Sequence, residues 1–205
     1  LKAIDLLINN AGVVNTEYSE TIDGIENTFA VNHLGYFLFT NLLLDLVKKE
    51  SESRIINVSS AAHHFVKGMQ WDDINYKDDF KMGLKAYGQS KLGNILFTKQ
   101  LAKKLQKDGV TVNAIHPGGV NTSLGNQNNS LLGRVLKIIL KPFFRSPLKG
   151  ANTIIYLAEI DGLSITGAYW VDERVAKTSH YSKNEAEAEK LWRLSEKLVN
   201  QEFDI

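Results

Sequence analysis

Cysteine is absent from the sequence, and its absence excludes disulfide scaffolds, thiolate nucleophiles and cysteine-ligated zinc sites. The adjacent histidines His63 and His64 would point to opposite faces of a strand or lie well apart on a helix, so we expect no metal site there. No apolar run reaches the roughly 18 residues that a membrane-spanning helix needs. The formal net charge of +1 gives no overall attraction to nucleic acid. The composition thus argues against disulfide-stabilised, metal-centred and nucleic-acid-binding classes.

The order of apolar patterns along the chain indicates the fold class. The 205 residues are enough for one substantial core and too few for two domains. Short apolar, β-branched runs alternate with longer stretches of helical periodicity, which is typical of parallel βαβ units. We therefore predict a single α/β domain over residues 1–205, with a parallel sheet and flanking helices. The predicted strands cover residues 4–9, 54–58, 110–115 and 168–171, and the predicted helices cover about 21–48, 84–106, 147–157 and 184–201.

The N-terminus lacks the features of a natural start. The sequence opens on Leu1 without an initiator methionine, and no secretory signal precedes the first apolar run. That run begins at Ile4 with no turn or capping signal ahead of it. This favours an N-terminus that is cut, either in an incomplete gene record or by processing.

Tyr87 and Lys91 stand one helical turn apart in a predicted helix. Positions i and i+4 share a helix face, so the ammonium can lie near the phenol. A free tyrosine has a pKa of about 10, and a neighbouring cation favours the phenolate and moves the pKa toward neutrality. The spacing predicts a general acid–base pair. Taken alone it also fits an ordinary surface tyrosine and lysine.

Other polar segments fall where a parallel sheet places its ligands. Residues 9–12, 59–60 and 117–122 each follow a predicted strand, and Asn32 lies within the first long helix. Open α/β sheets bind ligands at the carboxyl ends of their strands. These segments are therefore expected to meet the Tyr87 helix at one edge of the sheet.

Together these motifs resemble the short-chain dehydrogenase/reductase family in order and spacing over essentially the whole chain. They are Asn9-Asn10-Ala11-Gly12, Asn32, Ser59-Ser60, Tyr87 with Lys91, and Pro117-Gly118-Gly119-Val120-Asn121-Thr122. A narrower resemblance to the retinol dehydrogenase branch is carried by residues 58–64, 86–97 and 116–118, and by the long loop between Ser60 and Tyr87.

The resemblance implies a role for each residue of a catalytic tetrad. Tyr87 would exchange a proton with the substrate oxygen, and Lys91 would lower the pKa of Tyr87 and bind the nicotinamide ribose. Ser60 would orient the substrate carbonyl, with Ser59 as the alternative. Asn32 would hold a water that links Lys91 to bulk solvent as a proton relay.

The resemblance also implies a cofactor surface at the same sheet edge. The expected cofactor-binding residues are Asn10, Ala11, Gly12, Tyr87, Lys91, Pro117, Gly118 and Thr122. The first three would line the adenosine side, and the last three would position the nicotinamide. Asn10 and Gly12 also fit a purely structural strand-to-helix turn, and Thr122 fits an ordinary polar loop residue. NADP is the expected cofactor, with NAD as the alternative.

One family motif is missing from the sequence. Family members begin with a strand and a Gly-x-x-x-Gly-x-Gly turn whose amides bind the pyrophosphate, and no such pattern occurs here. The resemblance therefore implies the C-terminal part of a Rossmann-like domain, truncated at its N-terminus, with about four of seven strands in consecutive order. The first of these, residues 4–8, would show an unpaired apolar edge.

Two functional hypotheses follow. In the first, the natural protein is an active reductase and this sequence is an incomplete record of it. In the second, the 205 residues are the true product, an inactive binding or scaffold protein of the same fold. We expect this chain by itself to bind NADPH weakly or not at all, because the phosphate-binding loop is absent.

Residues 130–145 are expected to cover the substrate. Arg134, Lys137 and Lys141 fall at helical spacing among apolar residues, which fits a helix lying in a membrane interface. A lid helix with one solvated face fits equally well.

The branch resemblance extends to substrate, location and assembly. It implies a small lipophilic alcohol or aldehyde as substrate, such as retinol and retinal, and no nucleic-acid partner. It implies an intracellular protein, attached to the endoplasmic reticulum through an absent N-terminal anchor or else cytoplasmic. Faces of the helices at 21–48 and 84–106 would form a homodimer contact.

Overall fold

Five strands form the sheet in the computed structural model, which describes residues 1–50, 52–119 and 146–205. The strands are β1 Leu6–Asn9, β2 Arg54–Val58, β3 Thr111–His116, β4 Tyr169–Val171 and β5 Arg174–Val175. They lie side by side in chain order, with β1 to β4 parallel and β5 antiparallel to β4. The α/β class and the four consecutive parallel strands are confirmed. The two-residue strand β5 was not predicted.

The turn between β4 and β5 explains why β5 was missed. Asp172 and Glu173 form it with φ angles of 49° and 61°. A two-residue hairpin with both central residues at positive φ is usually signalled by Asn-Gly or Asp-Gly. The Asp-Glu pair carries no such signal.

The described helices are α1 Asn27–Val47, α2 Leu84–Lys104, α3 Pro147–Glu159 and α4 Glu185–Val199. Short 3₁₀ segments occupy Ala61–Phe65, Lys81–Gly83 and His180–Lys183. Helix α1 begins later than the predicted residue 21, because the Glu26 carboxylate accepts hydrogen bonds from the backbone N–H groups of Thr28 and Phe29. Asn184 caps the last helix, where its side-chain oxygen accepts from the N–H of Ala186 at 2.9 Å.

Helix α1 is irregular and apolar. Its Ala30–Leu34 segment is π-helical, a local widening that often marks functional sites. By length and composition α1 is the one described helix that could cross a membrane, but half of its most apolar window is buried inside the protein. Its buried side chains, including Phe37, Leu44 and Val47, belong to the hydrophobic core of the protein.

The sheet carries a separate core on each face. From β2, Ile55 packs with Phe37, Phe97 and Trp192, which belong to α1, α2 and α4. The alternate residue Ile56 packs on the opposite face with Leu157 of α3 and other side chains. The period-two alternation of β2 therefore places α1, α2 and α4 on one face and α3 on the other.

Helix α2 is enclosed by the chain itself. Between Ala86 and Ala102 every residue is buried or half-buried, and α4 packs along the helix, with the Trp192 ring stacked against Phe97 at 5.9 Å. Most of α2 is covered by the described parts of the chain, and the homodimer contact expected through the 84–106 helix stays a prediction. On α1, by contrast, Phe39 and Leu42 are 53% and 57% exposed.

Strand β1 lies at one edge of the described sheet. Leu7 and Asn9 are buried, whereas Leu6 and Ile8 are 37% and 39% exposed on the other face. The predicted apolar edge at this strand is confirmed.

A left-handed turn leads into α2. Lys81, Met82 and Gly83 have φ angles of 34°, 62° and 69°. A Cβ atom on Gly83 would lie 1.9 Å from the carbonyl oxygen of Asn15. Glycine here allows the loop after β1 to pack directly against the start of the helix that carries Tyr87.

Gly83→Ala should destabilise the protein far more than Gly109→Ala. Gly109 has a similar φ of 72° but open space around its Cβ position, so its substitution should cost only about 1 kcal/mol of backbone strain. At Gly83 the overlap with Asn15 adds to that strain, and we expect a total of at least about 3 kcal/mol. Urea unfolding of both variants measures the difference. Equal losses would show that the contact with Asn15 is not rigid.

Acid should weaken the fold through His33. This imidazole is fully buried and its Nε2 lies 2.9 Å from the Ser195 hydroxyl of α4. Burial lowers its pKa from 6.5 to about 4. Between these values the unfolded state binds more protons than the folded state, so stability is present above pH 6.5 and is lost as pH falls toward 4.

We expect His33→Gln to reduce that acid sensitivity. Between about pH 7.5 and pH 5, wild type should lose roughly 2 kcal/mol more unfolding free energy than the variant. Glutamine has no proton to gain in this range and reaches Ser195 with its amide. Urea unfolding at both pH values gives the comparison, and parallel pH profiles would contradict the assignment to His33.

Candidate active site

Helix α2 brings Tyr87 and Lys91 onto one face, as the spacing predicts. The Lys91 side chain is nearly completely buried, at 3% exposure. Its Nζ atom donates to the Val58 carbonyl at 3.1 Å. It also lies 5.7 Å from the ring centroid of Tyr87 and 5.8 Å from that of Tyr36. The ammonium is thus placed between two aromatic rings and the end of β2.

The electrostatics of the pair differ from the expectation. Burial lowers the pKa of Lys91 from 10.5 to about 8, and burial raises the pKa of Tyr87, an effect that a hydrogen bond with Ser60 partly offsets. The expected lowering of the tyrosine pKa by the lysine is not seen. The physical reason is that Lys91 donates to Val58 and faces the Tyr87 ring, so desolvation of the phenol prevails. Tyr87 is a protonated phenol at neutral pH.

The two serines at the end of β2 have different surroundings. Ser59 is buried, and its hydroxyl donates to the backbone carbonyl of Lys91 at 2.7 Å. Ser60 is half-buried, interacts with the Tyr87 phenol, and accepts from the N–H of Ala62 at 3.1 Å. The geometry therefore favours Ser60 over Ser59 as the hydroxyl that faces the phenol.

Asn32 lies in the π-helical segment of α1 and is fully buried. Its Oδ1 accepts from the Val13 N–H at 2.8 Å, and its Nδ2 donates to the Val13 carbonyl and to the Ser90 hydroxyl, each at 3.0 Å. Both amide hydrogens are therefore used by the protein. The side chain clamps the loop after β1 to α2, a role that the sequence did not indicate. The water-mediated role expected for Asn32 stays a prediction.

The expected cofactor residues line the carboxyl ends of β1 and β3. Asn10 and Ala11 are exposed and Gly12 is half-buried after β1. Pro117 and Gly118 are half-buried after β3, where Gly118 has a φ of 82°. Because the strands are parallel, these segments share one sheet edge with Ser60. Thr122 lies outside the described residues, as does the 130–145 segment with Arg134, Lys137 and Lys141.

Gly12 leaves a gap of methyl size beside the buried lysine. A Cβ atom at this position would lie 3.4 Å from Oδ1 of Asn32 and 3.7 Å from Nζ of Lys91. Within the described residues the ammonium makes one hydrogen bond, to Val58. A polar ligand entering along the β1 loop therefore meets an ammonium with N–H donors to spare.

Sequence reasoning missed the buried amides beneath this site. Asn9 donates to the Asn57 side chain at 2.7 Å and to the Thr40 hydroxyl at 2.8 Å, and Asn57 donates to the Thr98 hydroxyl at 2.9 Å. Asn94 shares the Val58 carbonyl with Lys91. The available signal was an asparagine inside an apolar strand, since such residues need buried partners.

Tyr36 was also missed. Its hydroxyl donates to the Ala11 carbonyl at 2.7 Å, and its ring centroid lies 5.8 Å from the Lys91 ammonium. The expectation that His63 and His64 lie apart was wrong, because on a 3₁₀ helix their ring centroids are 3.9 Å apart. No group of three or more potential ligands in the described parts of the chain could hold a metal ion.

Comparison with known families agrees with this fold. The sequence model of a family described as enoyl-(acyl carrier protein) reductase matches residues 1–172. The chain belongs to the short-chain dehydrogenase/reductase family.

Curated relatives give a narrower likeness. The chain is 43% identical to mouse retinol dehydrogenase 14, over 96% of this chain and 59% of that protein. It is 42% identical to human retinol dehydrogenase 13, over 97% of this chain and 61% of that protein. The chain therefore spans about three fifths of the length of these relatives.

Solved structures show the same fold. An uncharacterised protein from Mycobacterium paratuberculosis aligns with a TM-score of 0.77 and 30% identity, covering all of this chain and 70% of that one. A short-chain dehydrogenase/reductase variant from Serratia marcescens aligns with a TM-score of 0.59 and 24% identity, covering 82% of this chain and 63% of that one. At 24% identity, the similarity to the Serratia marcescens structure supports the fold alone.

Removal of the Asn32 amide should destabilise the chain more than removal of a buried amide elsewhere on α1. Asn32→Ala breaks three hydrogen bonds and leaves the polar groups of Val13 without their partner, so we expect a loss of about 2–4 kcal/mol. Asn41→Ala, on the same helix, breaks one hydrogen bond to the Phe37 carbonyl and should cost about 1 kcal/mol or less. Urea unfolding compares the two. A smaller loss for Asn32→Ala would argue against the clamp.

Proposed function

We propose that the protein is a nicotinamide-dependent oxidoreductase that interconverts an apolar alcohol and its aldehyde or ketone. The observation that carries this proposal is the convergence of Tyr87, Lys91 and Ser60 at the carboxyl edge of a parallel sheet. A buried ammonium beside a phenol and a hydroxyl forms a proton-donating site with little exposed charge. The retinol dehydrogenase relatives support a retinol-like substrate.

The described residues fit a nicotinamide cofactor. The gap beside Gly12 lies next to the Lys91 ammonium, which would bind the ribose hydroxyls. Asn10 and Ala11 would line the adenosine side, and Pro117 and Gly118 would position the nicotinamide, joined by Thr122 from outside the described residues. When bound, the cofactor supplies or accepts the hydride at the substrate carbon. NADP is the proposed form, with NAD as the alternative.

In the reductive direction Tyr87 donates its phenolic proton to the substrate oxygen. The carbonyl π bond breaks as its carbon gains the hydride, and the oxygen becomes the hydroxyl of the product alcohol. Ser60 orients the carbonyl by a hydrogen bond. Lys91 stabilises the phenolate that remains, and Asn32 takes part in the proton return through water.

The protonation states support this direction. The raised pKa of Tyr87 keeps the phenol protonated at neutral pH. The Lys91 pKa of about 8 keeps the ammonium charged below that pH. The phenol is thus in the proton-donor form that the reductive direction requires, although its raised pKa makes it a weaker acid than a free tyrosine. Oxidation of the alcohol runs through the same groups in reverse and requires the phenolate.

Two exposed apolar side chains lie beside the α2 segment that carries Tyr87, and they fit an apolar substrate. Phe65 and Leu84 are 58% and 53% exposed. Leu84 lies one turn before Gly88 on α2, and Gly88 packs closely on Phe65. Small lipophilic aldehydes can bury surface against such side chains.

The same proposal includes membrane attachment, by the 130–145 segment or an N-terminal anchor. It also includes homodimer formation through the exposed face of α1.

Tyr87→Phe should abolish turnover while leaving the fold intact. Loss of the proton donor is expected to lower kcat by at least about a hundredfold. The control is Tyr156→Phe, because Tyr156 is a half-buried tyrosine of α3 whose ring contacts Trp170, away from the site. The measurement is NADPH oxidation with retinaldehyde, using the protein that the complete transcript encodes.

Equal activity of the two variants would refute the role of Tyr87. If wild type neither binds NADPH in a fluorescence titration nor reduces any apolar aldehyde, the alternative of an inactive binding or scaffold protein is favoured. If the complete transcript supplies an upstream glycine-rich turn and turnover follows, the reductase is supported.

A further inference from the structure

His63 holds together two segments that are far apart in the sequence. Its imidazole is fully buried at the start of the 3₁₀ helix that follows Ser60. Nδ1 lies 2.7 Å from the Ser60 carbonyl oxygen. On the other side of the ring, Nε2 accepts a hydrogen bond from the Ser179 N–H at 3.2 Å. The ring therefore connects the end of β2 to the segment that follows β5.

The two partners define one tautomer. A carbonyl oxygen can only accept, so Nδ1 carries the proton, and a backbone N–H can only donate, so Nε2 is unprotonated. Protonation of Nε2 would place two donors face to face. Burial lowers the pKa of His63 to about 4, in agreement with a neutral ring.

Aromatic and titratable neighbours close the site around this ring. The His64 ring lies against it with centroids 3.9 Å apart and the ring planes tilted by 39°, and Tyr169 of β4 meets it edge-on at 5.1 Å. The electrostatic interaction with His116, at the end of β3, also lowers the pKa of His63. The ring is thus held by packing as well as by its hydrogen bonds.

Ser60 is fixed at both of its polar ends by this short helix. Its carbonyl accepts from the backbone N–H of His63 as well as from the imidazole. Its hydroxyl accepts from the Ala62 N–H and interacts with the Tyr87 phenol. The direction of that hydroxyl therefore depends on how the backbone of Ser60 is held.

We propose that His63 is a positioning residue, whose imidazole holds the Ser60 carbonyl so that the Ser60 hydroxyl faces Tyr87. The inference has two parts. The catalytic part, that the placement of Ser60 aids turnover, rests on the proposed function. The geometric part, that His63 holds Ser60 in place, concerns only hydrogen bonds within the chain. The two parts can therefore fail separately.

Two substitutions separate the hydrogen bonds of the ring. In His63→Asn the side-chain amide can replace Nδ1 and keep the bond to Ser60. In His63→Gln the longer amide can replace Nε2 and keep only the bond to Ser179. His64→Gln is the control, because it removes the ring packed against His63 but neither hydrogen bond of the His63 imidazole.

Amide hydrogen exchange tests the geometric part without cofactor or turnover. For His63→Gln we expect at least about tenfold faster exchange at Ala62 and at residue 63, whose N–H groups bond to Ser60, with α2 unchanged. His63→Asn and His64→Gln should exchange as wild type does. Unchanged exchange in His63→Gln, or faster exchange along α2 as well, would overturn the proposal, since the second result indicates general loosening.

A double-mutant cycle with Ser60→Ala tests the catalytic part. His63→Gln alone should lower kcat by about tenfold with KM nearly unchanged, because the serine is misplaced. In the Ser60→Ala background the same substitution should have little further effect, since no hydroxyl remains to position. Equal losses in both backgrounds would overturn the positioning role. Inactive wild type would refute the proposed function instead and leave the exchange experiment to decide the geometry.

Discussion

The buried ammonium of Lys91 is the constraint on which the arrangement of the site depends. Taking a charged amine out of water costs several kcal/mol unless polar or aromatic groups replace the lost hydration. The Val58 carbonyl and the faces of Tyr36 and Tyr87 provide that replacement. Each of these groups must therefore stand at a fixed distance from one point. The lowered pKa of Lys91 shows that the replacement is incomplete, which leaves the ammonium ready to bind a further polar partner.

The segments around this charge are held by side-chain hydrogen bonds and by one close backbone contact rather than by regular secondary structure. Asn32 clamps both polar groups of Val13, Tyr36 holds the Ala11 carbonyl, and the Gly83 backbone lies directly against the Asn15 carbonyl. All three contacts tie the loop after β1 to a helix. A loop held in this way provides a rigid surface at the sheet edge, which is what precise binding of a ligand requires.

Family membership concerns most of the chain, whereas the acid–base chemistry concerns a few residues at one edge of the sheet. The chain spans about three fifths of the length of its retinol dehydrogenase relatives. Its sequence carries Tyr87, Lys91 and Ser60 but no Gly-x-x-x-Gly-x-Gly pattern. The acid–base geometry can be judged from the described residues alone. The proposed hydride transfer additionally depends on how the cofactor phosphates are held.

The sequence by itself determined the order of strands and helices, because periodicity records which faces are buried. It also placed Tyr87 and Lys91 on one helix face, since that depends only on the pitch of a helix. Tertiary structure alone decided the start of α1, where the Glu26 side chain caps the helix, and the strand β5, whose Asp-Glu turn has no local signal.

Tertiary structure also decided the direction of the Tyr87 pKa shift, because burial and the orientation of Lys91 are set by elements distant in the chain. The links from Asn32 to Val13 and from His63 to Ser179 arise for the same reason. The first link joins residues 19 positions apart in the sequence, and the second joins residues 116 positions apart. Local pattern predicts which side chains stand on a shared face, whereas the packing of separate elements decides what those side chains meet.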